Sequence, residues 1–262
     1  MRELVTMWRS TRMVVLTALT AAVYAAVLIP FKGIPIIPGI TEIRPAAAIP
    51  PVFGLLFGPA GAWGSGFGNL IGDLFGGTLT PGSLPGFLGN FLFALTPYRV
   101  WGFLKGGAER PPVGKGAAAL VEAGAAALLA SAVCAAVIAW GLDLMGLLPF
   151  AALGPIIFVN NALVGVILGP LLLGMIAPRV AAWHLLWTDV MPAEDRSPRR
   201  NPRLGGILAW VGGAGALAAG LVLSVSMGEG QAFRFDVGTA TSGVALGVVP
   251  FLLVFLVGIL LA

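Results

Sequence analysis

Long apolar runs, separated by short polar or proline-rich breaks, order the chain. The first spans residues 13–29 and stops at Pro30, where the loop FKGIPIIPGITEIRP carries Lys32, Glu42 and Arg44. Further apolar runs cover residues 46–57, 64–77, 82–104, 117–142 and 152–177. The hydrophilic stretch DVMPAEDRSPRRNPR then precedes two more, 204–225 and 241–261. Runs of about 18 or more apolar residues can cross a hydrocarbon core of ~30 Å as helices. The pattern predicts an all-α, polytopic transmembrane helical bundle. Residues 1–190 are expected to form a six-helix core, 191–203 a basic cytoplasmic linker, and 204–262 two additional transmembrane helices. The third run is short, about 14 residues and so roughly 21 Å at helical rise. It reads as a tilted or partly broken crossing, because a re-entrant segment would move the loop from Arg99 to Lys115 to the opposite side.

Composition agrees with the pattern. Hydrophobic residues make up 58% of the 262 and charged ones 10%, against the ~25% charged of soluble domains, too few to coat a soluble surface. The 38 glycines and 20 prolines are tolerated inside a bilayer, where close helix packing satisfies the backbone. A formal net charge of +4 does not indicate nucleic acid, since the basic residues sit between apolar runs and not on one face among aromatics. Their placement follows membrane topology. With the N-terminus in the cytoplasm, Arg2, Arg9, Arg12, Arg99, Lys105, Arg110, Lys115, Arg179, Arg196, Arg199, Arg200 and Arg203 lie inside, and only Lys32, Arg44 and Arg234 outside. Both termini are then expected in the cytoplasm. Cys134, the lone cysteine, lies in an apolar run and reads as a packing residue, and 13–29 as a retained helix in place of a signal peptide.

Polar groups at membrane depth are costly and therefore candidates for function. Asn69 and Asp73 are four apart, hence on one helix face. Asn90, about 12 Å below the outer start of its helix, and Asn160 with Asn161 fall at a similar depth, beneath the loop bearing Glu42 and Arg44. The set Glu42, Arg44, Asn69, Asp73, Asn90, Asn160 and Asn161 outlines an outward-facing cavity for a small polar molecule. Two plainer readings stand beside it: the asparagines as interhelical glue, and an Arg44–Asp73 pair of purely structural purpose. Trp63, Phe67, Phe87 and Phe91 would either wall such a cavity or face lipid. GSGFGN at 64–69 lacks the strand, lysine and acid of a nucleotide loop, so its small residues read as helix packing. His184, beside Trp183 and Trp187, reads as an interfacial anchor. No metal-ligand cluster, nucleophile–base pair or ATPase signature is present, so the expectation is a non-enzyme with no cofactor, and any ATP energy must come from a partner. Ala18, Ala22 and Ala26 recur every four residues, a stripe suited to a docking partner or to packing within the chain.

These features together resemble the substrate-binding S component of an energy-coupling factor (ECF) transporter. The resemblance rests on the six-helix block with both ends cytoplasmic, on the stripe TALTAAVYAA, and on EIRPAAAIPPVFGLLFGPAGAWGSGFGNLIGDLFGG, which is most similar to the queuosine-precursor (QueT-like) branch. It covers roughly residues 10 to 180. It implies capture of a vitamin-like micronutrient from outside by a protein of the prokaryotic cytoplasmic membrane, followed by toppling within a complex of a transmembrane coupling protein and two ATPase subunits. The last two helices depart from the six-helix pattern. A secondary transporter or channel working without ATPases, and a structural membrane protein with no ligand, are the other classes the residues leave open.

Overall fold

Prolines, glycines and one serine set most of the helix boundaries. The computed structural model describes residues 1–37, 41–42, 44–107, 116–229 and 242–262. A short helix, α1 (Glu3–Thr6), and a single 3-10 turn lead to Ser10, whose extended backbone breaks the helix and whose hydroxyl caps Met13 N–H in α2 (Thr11–Leu28). Beyond Pro30, β1 (Pro35–Ile37) pairs antiparallel with β2 (Thr41–Glu42). The pair is a small hairpin within the helical fold. Helices α3 (Ile49–Phe57) and α4 (Pro59–Phe75) meet at Gly58, whose φ of +56° is left-handed, with Tyr98 and Trp187 rings 3.1 Å from where a Cβ would stand. Then come α5 (Ser83–Val100), α6 (Ala117–Leu144), α7 (Phe150–Ala182), the short α8 (Trp187–Val190), α9 (Pro202–Ser224) and α10 (Ser242–Leu261). Arg110, Lys115 and Arg234 lie outside the described residues.

The helices alternate in direction. Lys32, Asp73, Gly82, Leu142 and Phe150 gather at one end, here the cavity end. Arg99, Arg199, Asn201 and Ile259 gather at the other, the basic end. Among the described residues, Thr11–Lys32, Ala117–Leu144, Phe150–Val190, Pro202–Met227 and Gly243–Leu261 are each long and apolar enough to cross a bilayer. The nine residues of α3 are all buried. That helix spans only about 14 Å yet carries the chain from Arg44 at the cavity end to Gly58 at the basic end. Protein surrounds it, so its backbone need not match the lipid thickness. Helix α4 is longer than the 14 residues expected and is unbroken, with 17 residues and a length of about 25 Å. Helix α5 stops at Val100, short of 104, because Trp101 is extended and Gly102 takes a left-handed φ of +74°.

Small residues decide which helices touch. Along α4, Gly64, Gly68 and Gly72 face α2, and a Cβ on Gly64 would come within 2.4 Å of Thr20 and one on Gly72 within 2.6 Å of Leu28. The glycine-rich segment is therefore a packing surface, as its spacing suggests. Helix α9 carries two such rows. Gly206, Gly213 and Gly220, seven apart, lie against Phe103, Val133 and Phe150, while Gly205 and Gly212 lie against the α10 backbone at Ala262 and Phe255. The α9–α10 hairpin thus covers α6 and the adjoining faces of α5 and α7, and α2 packs chiefly on α4. On α2, Ala21 and Ala25 are buried, whereas Ala18, Ala22 and Ala26 remain exposed.

A buried polar node ties the basic end together. Arg99, 2% exposed, donates from Nη1 to Glu3 Oε1 at 3.1 Å and from Nε to the Ile259 carbonyl at 3.0 Å. Ser197 donates to the second Glu3 oxygen. Burial by itself raises the Glu3 carboxyl, but the Ser197 and backbone hydrogen bonds, with the charges of Arg99 and the Met1 ammonium, outweigh it and hold the group below the usual carboxylate range. Arg199 donates to the Trp101 and Tyr98 carbonyls at 2.7 and 3.0 Å, satisfying the end of α5. Arg99 and Arg199, counted from sequence as loop cations, are thus internal bonding groups.

Candidate functional site

A cavity of about 440 Å³ opens at the cavity end, within the size range of small-molecule sites. One wall is polar, with Lys32, Arg44, Asn69, Asp73, Thr78, Thr80 and Ser83, and the other apolar, from Ile138 and Leu142 of α6 to Leu153 and Ile157 of α7. At its centre Lys32 Nζ lies 2.7 Å from Asp73 Oδ1, and donates to Thr78 Oγ1 at 3.1 Å. Asn69 Nδ2 donates to Asp73 Oδ2 at 3.2 Å. Asn90 Nδ2 donates to Asn69 Oδ1 at 3.0 Å and to the Gly86 carbonyl at 2.8 Å, and its own Oδ1 accepts from Tyr24 Oη at 2.7 Å. One hydrogen-bonded series therefore runs from Lys32 through Asp73, Asn69 and Asn90 to Tyr24, joining α4 and α5 to α2.

This series is preorganised. Each carboxamide is oriented by a partner on both sides, so the direction of the Asn69 and Asp73 edges is set by the protein's own hydrogen bonds. Gly86 is the gap in the wall: a Cβ there would sit 3.0 Å from Asn69 Nδ2 and 3.9 Å from Asp73 Oδ2. The chamber offers a fixed carboxylate, two cationic side chains and an amide against a greasy wall. That combination suits a solute with an apolar or flat body and a polar edge.

Of the residues marked from sequence, Arg44, Asn69 and Asp73 line the cavity, and Asn90 stands one layer behind it. Asn160 Oδ1 accepts from the Arg44 backbone N–H at 3.5 Å. Asn161 is buried between α6 and α7, its Nδ2 3.5 Å from Cys134 Sγ, an interhelical contact away from the cavity lining. Glu42 belongs to β2, and its side chain lies outside the described residues. The ion pair of Asp73 is with Lys32, not Arg44. Lys32, Thr78, Thr80 and Ser83 were missed by sequence reasoning. The signal was the polar cluster TLTPGS, which sits at the same end as the loop carrying Lys32.

Trp63, Phe67, Phe87 and Phe91 form one aromatic cluster with ring centroids 4.9–6.3 Å apart, and Trp8 joins it at 5.7 Å from Trp63. None of these rings is in the cavity lining. Trp187 is buried against Tyr98, at a centroid distance of 5.1 Å, so it is a core residue and not an interfacial one. His184 is exposed in the turn after α7, with φ of 53°.

The fold is that of an all-α polytopic membrane protein with a solute-sized chamber between its helices. The QueT transporter family model matches residues 14–178, and the chain belongs to that family of membrane transporters. The match runs from within the first turn of α2 to near the end of α7, hence over every described cavity residue, and leaves α9 and α10 beyond it. No curated protein and no solved structure matches the chain.

Proposed function

We propose that the chain is the substrate-binding S component of an ECF-type importer, holding a vitamin-like or queuosine-precursor micronutrient in the chamber at its cavity end. The observation that carries this reading is the preorganised Lys32–Asp73–Asn69 edge facing an apolar wall in a chamber of about 440 Å³. Arg44, Asn69 and Asp73 contact the solute, Lys32 sets the charge of the edge, and Asn90 and Tyr24 keep it aligned. The excess of cations at the basic end supports placing that end, with both termini, on the cytoplasmic side of a prokaryotic membrane. The chamber then opens outward. Residues 1–190 act as the capture core, 191–203 as a cytoplasmic linker and 204–262 as an added helix pair.

The exposed Ala18, Ala22 and Ala26 of α2 support docking on a transmembrane coupling protein that works with two ATPase subunits. The α9–α10 hairpin leaves that face open, because it packs on α6 and its neighbours.

Small molecules extracted from the purified full chain and identified by mass spectrometry test the capture role. A retained polar, flat micronutrient that is lost in Gly86→Val, where a side chain enters the chamber beside Asn69, is the expected result. No retained solute, or unchanged retention in that variant, refutes it. Ala22→Trp tests the second part: co-purification with ATPase subunits should fall while solute retention persists. Loss of neither would point to an ATP-independent transporter.

A further inference from the structure

We infer that the segment from Arg2 to Arg12 is an in-plane foot that holds anionic phospholipid headgroups. Its path is the first observation. The Trp63 Nε1–H of α4 donates to the Leu4 carbonyl at 2.9 Å, Glu3 pairs with Arg99 of α5 at 3.1 Å, and the segment continues through the Ser10 break into α2. It therefore crosses the basic ends of α4 and α5 before entering α2, and so runs across the axes of the bundle, along the membrane plane.

Its faces are the second observation. Glu3, Thr6 and Met7 are buried against the bundle. The outward side presents Arg2, Val5, Trp8 and Arg9 and, past the Ser10 break, Arg12, all of them exposed. Val5 is 72% and Trp8 42% exposed. The one acid of the segment, Glu3, is consumed by Arg99, so the exposed charge is of one sign. Both the Met1 and the Arg2 nitrogens donate to Ser197, which sets Arg2 next to the linker that exposes Arg200 and Arg203. Among the described residues, the exposed acids at this end, Asp189 and Glu194, belong to α8 and the turn after it and not to the foot.

The chemistry of this surface matches a lipid headgroup plane. Val5 and the Trp8 indole reach the acyl boundary, where tryptophan is favoured. Guanidinium groups above them take phosphate oxygens through two parallel N–H bonds. A phosphatidylcholine headgroup carries its own ammonium and gains little. A phosphatidylglycerol headgroup gains roughly fivefold per nearby arginine. Since the foot leads directly into α2, headgroups held by Arg9 and Arg12 fix how that helix enters the bilayer.

Native mass spectrometry of the full chain, released from nanodiscs of equimolar phosphatidylglycerol and phosphatidylcholine, tests this. Phosphatidylglycerol should be retained in preference, and the preference should drop about tenfold or more in R9Q/R12Q. It should return in R9K/R12K, which restores the charge and so separates headgroup binding from misfolding. Equal retention of the two lipids overturns the inference. So does an R9Q/R12Q preference that stays intact while co-purification with a coupling or ATPase subunit weakens, which would assign the foot to a protein partner. Solute retention is read in the same samples and does not depend on this outcome.

Discussion

Replacing Lys32 by methionine asks whether the Lys32–Asp73 pair is a coupled unit of the chamber. The two charged groups are 2.7 Å apart, and their side chains are 8% and 10% exposed. Removing one partner of a buried pair costs about 3–5 kcal/mol, because the survivor keeps its desolvation cost without the attraction. In K32M, Asp73 still accepts from Asn69 at 3.2 Å and Thr78 at 3.4 Å, and the chamber beside it can hold water. The lower end of that range, about 3 kcal/mol, is the expected loss. D73N takes the carboxylate away from Lys32 Nζ while the ammonium keeps its desolvation cost, and should also lower stability. The double variant K32M/D73N removes both charges of this pair and should cost only about 1 kcal/mol. Thermal unfolding of the purified chain in detergent, followed by the monodisperse fraction on gel filtration, separates these cases. K32M should melt roughly 6–12 °C below the parent at ~2–4 °C per kcal/mol, and the double variant should recover most of that. Single variants within about 2 °C of the parent, or a double variant showing the sum of the two losses, would refute the reasoning.

Glu3 gives a pH dependence. Its carboxyl is held below the ordinary value, so its contribution is present above the unfolded pKa of about 4.3 and is lost as pH falls through the lower folded value. E3Q should therefore be less stable at pH 7 and show a flatter acid limb below about pH 4 in the same melting assay. Gly212→Val places a side chain where Phe255 N lies 2.2 Å from the Cβ position and should cost about 1–3 kcal/mol by overpacking α9 on α10, whereas Gly174→Val, with nothing within 4 Å, should melt close to the parent. Tyr24→Phe removes the donor to Asn90 Oδ1 and should cost about 1 kcal/mol, with weaker solute retention because Asn90 no longer aligns Asn69; unchanged retention would detach Tyr24 from the site.

Much of the architecture is written in local spacing. Runs of apolar residues set membrane residence and helix count, since a bilayer demands internally bonded segments of sufficient length. The four-residue interval of Asn69 and Asp73 placed them on one face, and the interval of Gly64, Gly68 and Gly72 marked a close contact; both are properties of a single helix.

Partnership across the chain is different, because it depends on the paths of loops and on which faces meet. Lys32 reaches Asp73 across 41 positions only because the turn after Pro30 lays the lysine over the end of α4. Arg44, equally basic and close in sequence, lines the same chamber without taking that pair. Asn90 and Asn161 look alike as buried carboxamides, yet one supports the chamber edge and the other faces Cys134, since the rotation of α5 and α7 about their axes is set by packing and not by composition. Helical period and hydrophobic length fixed the elements from within each segment. Only the tertiary contacts decided which polar groups share a cavity, because a desolvated charge takes whichever partner the packed helices bring within reach.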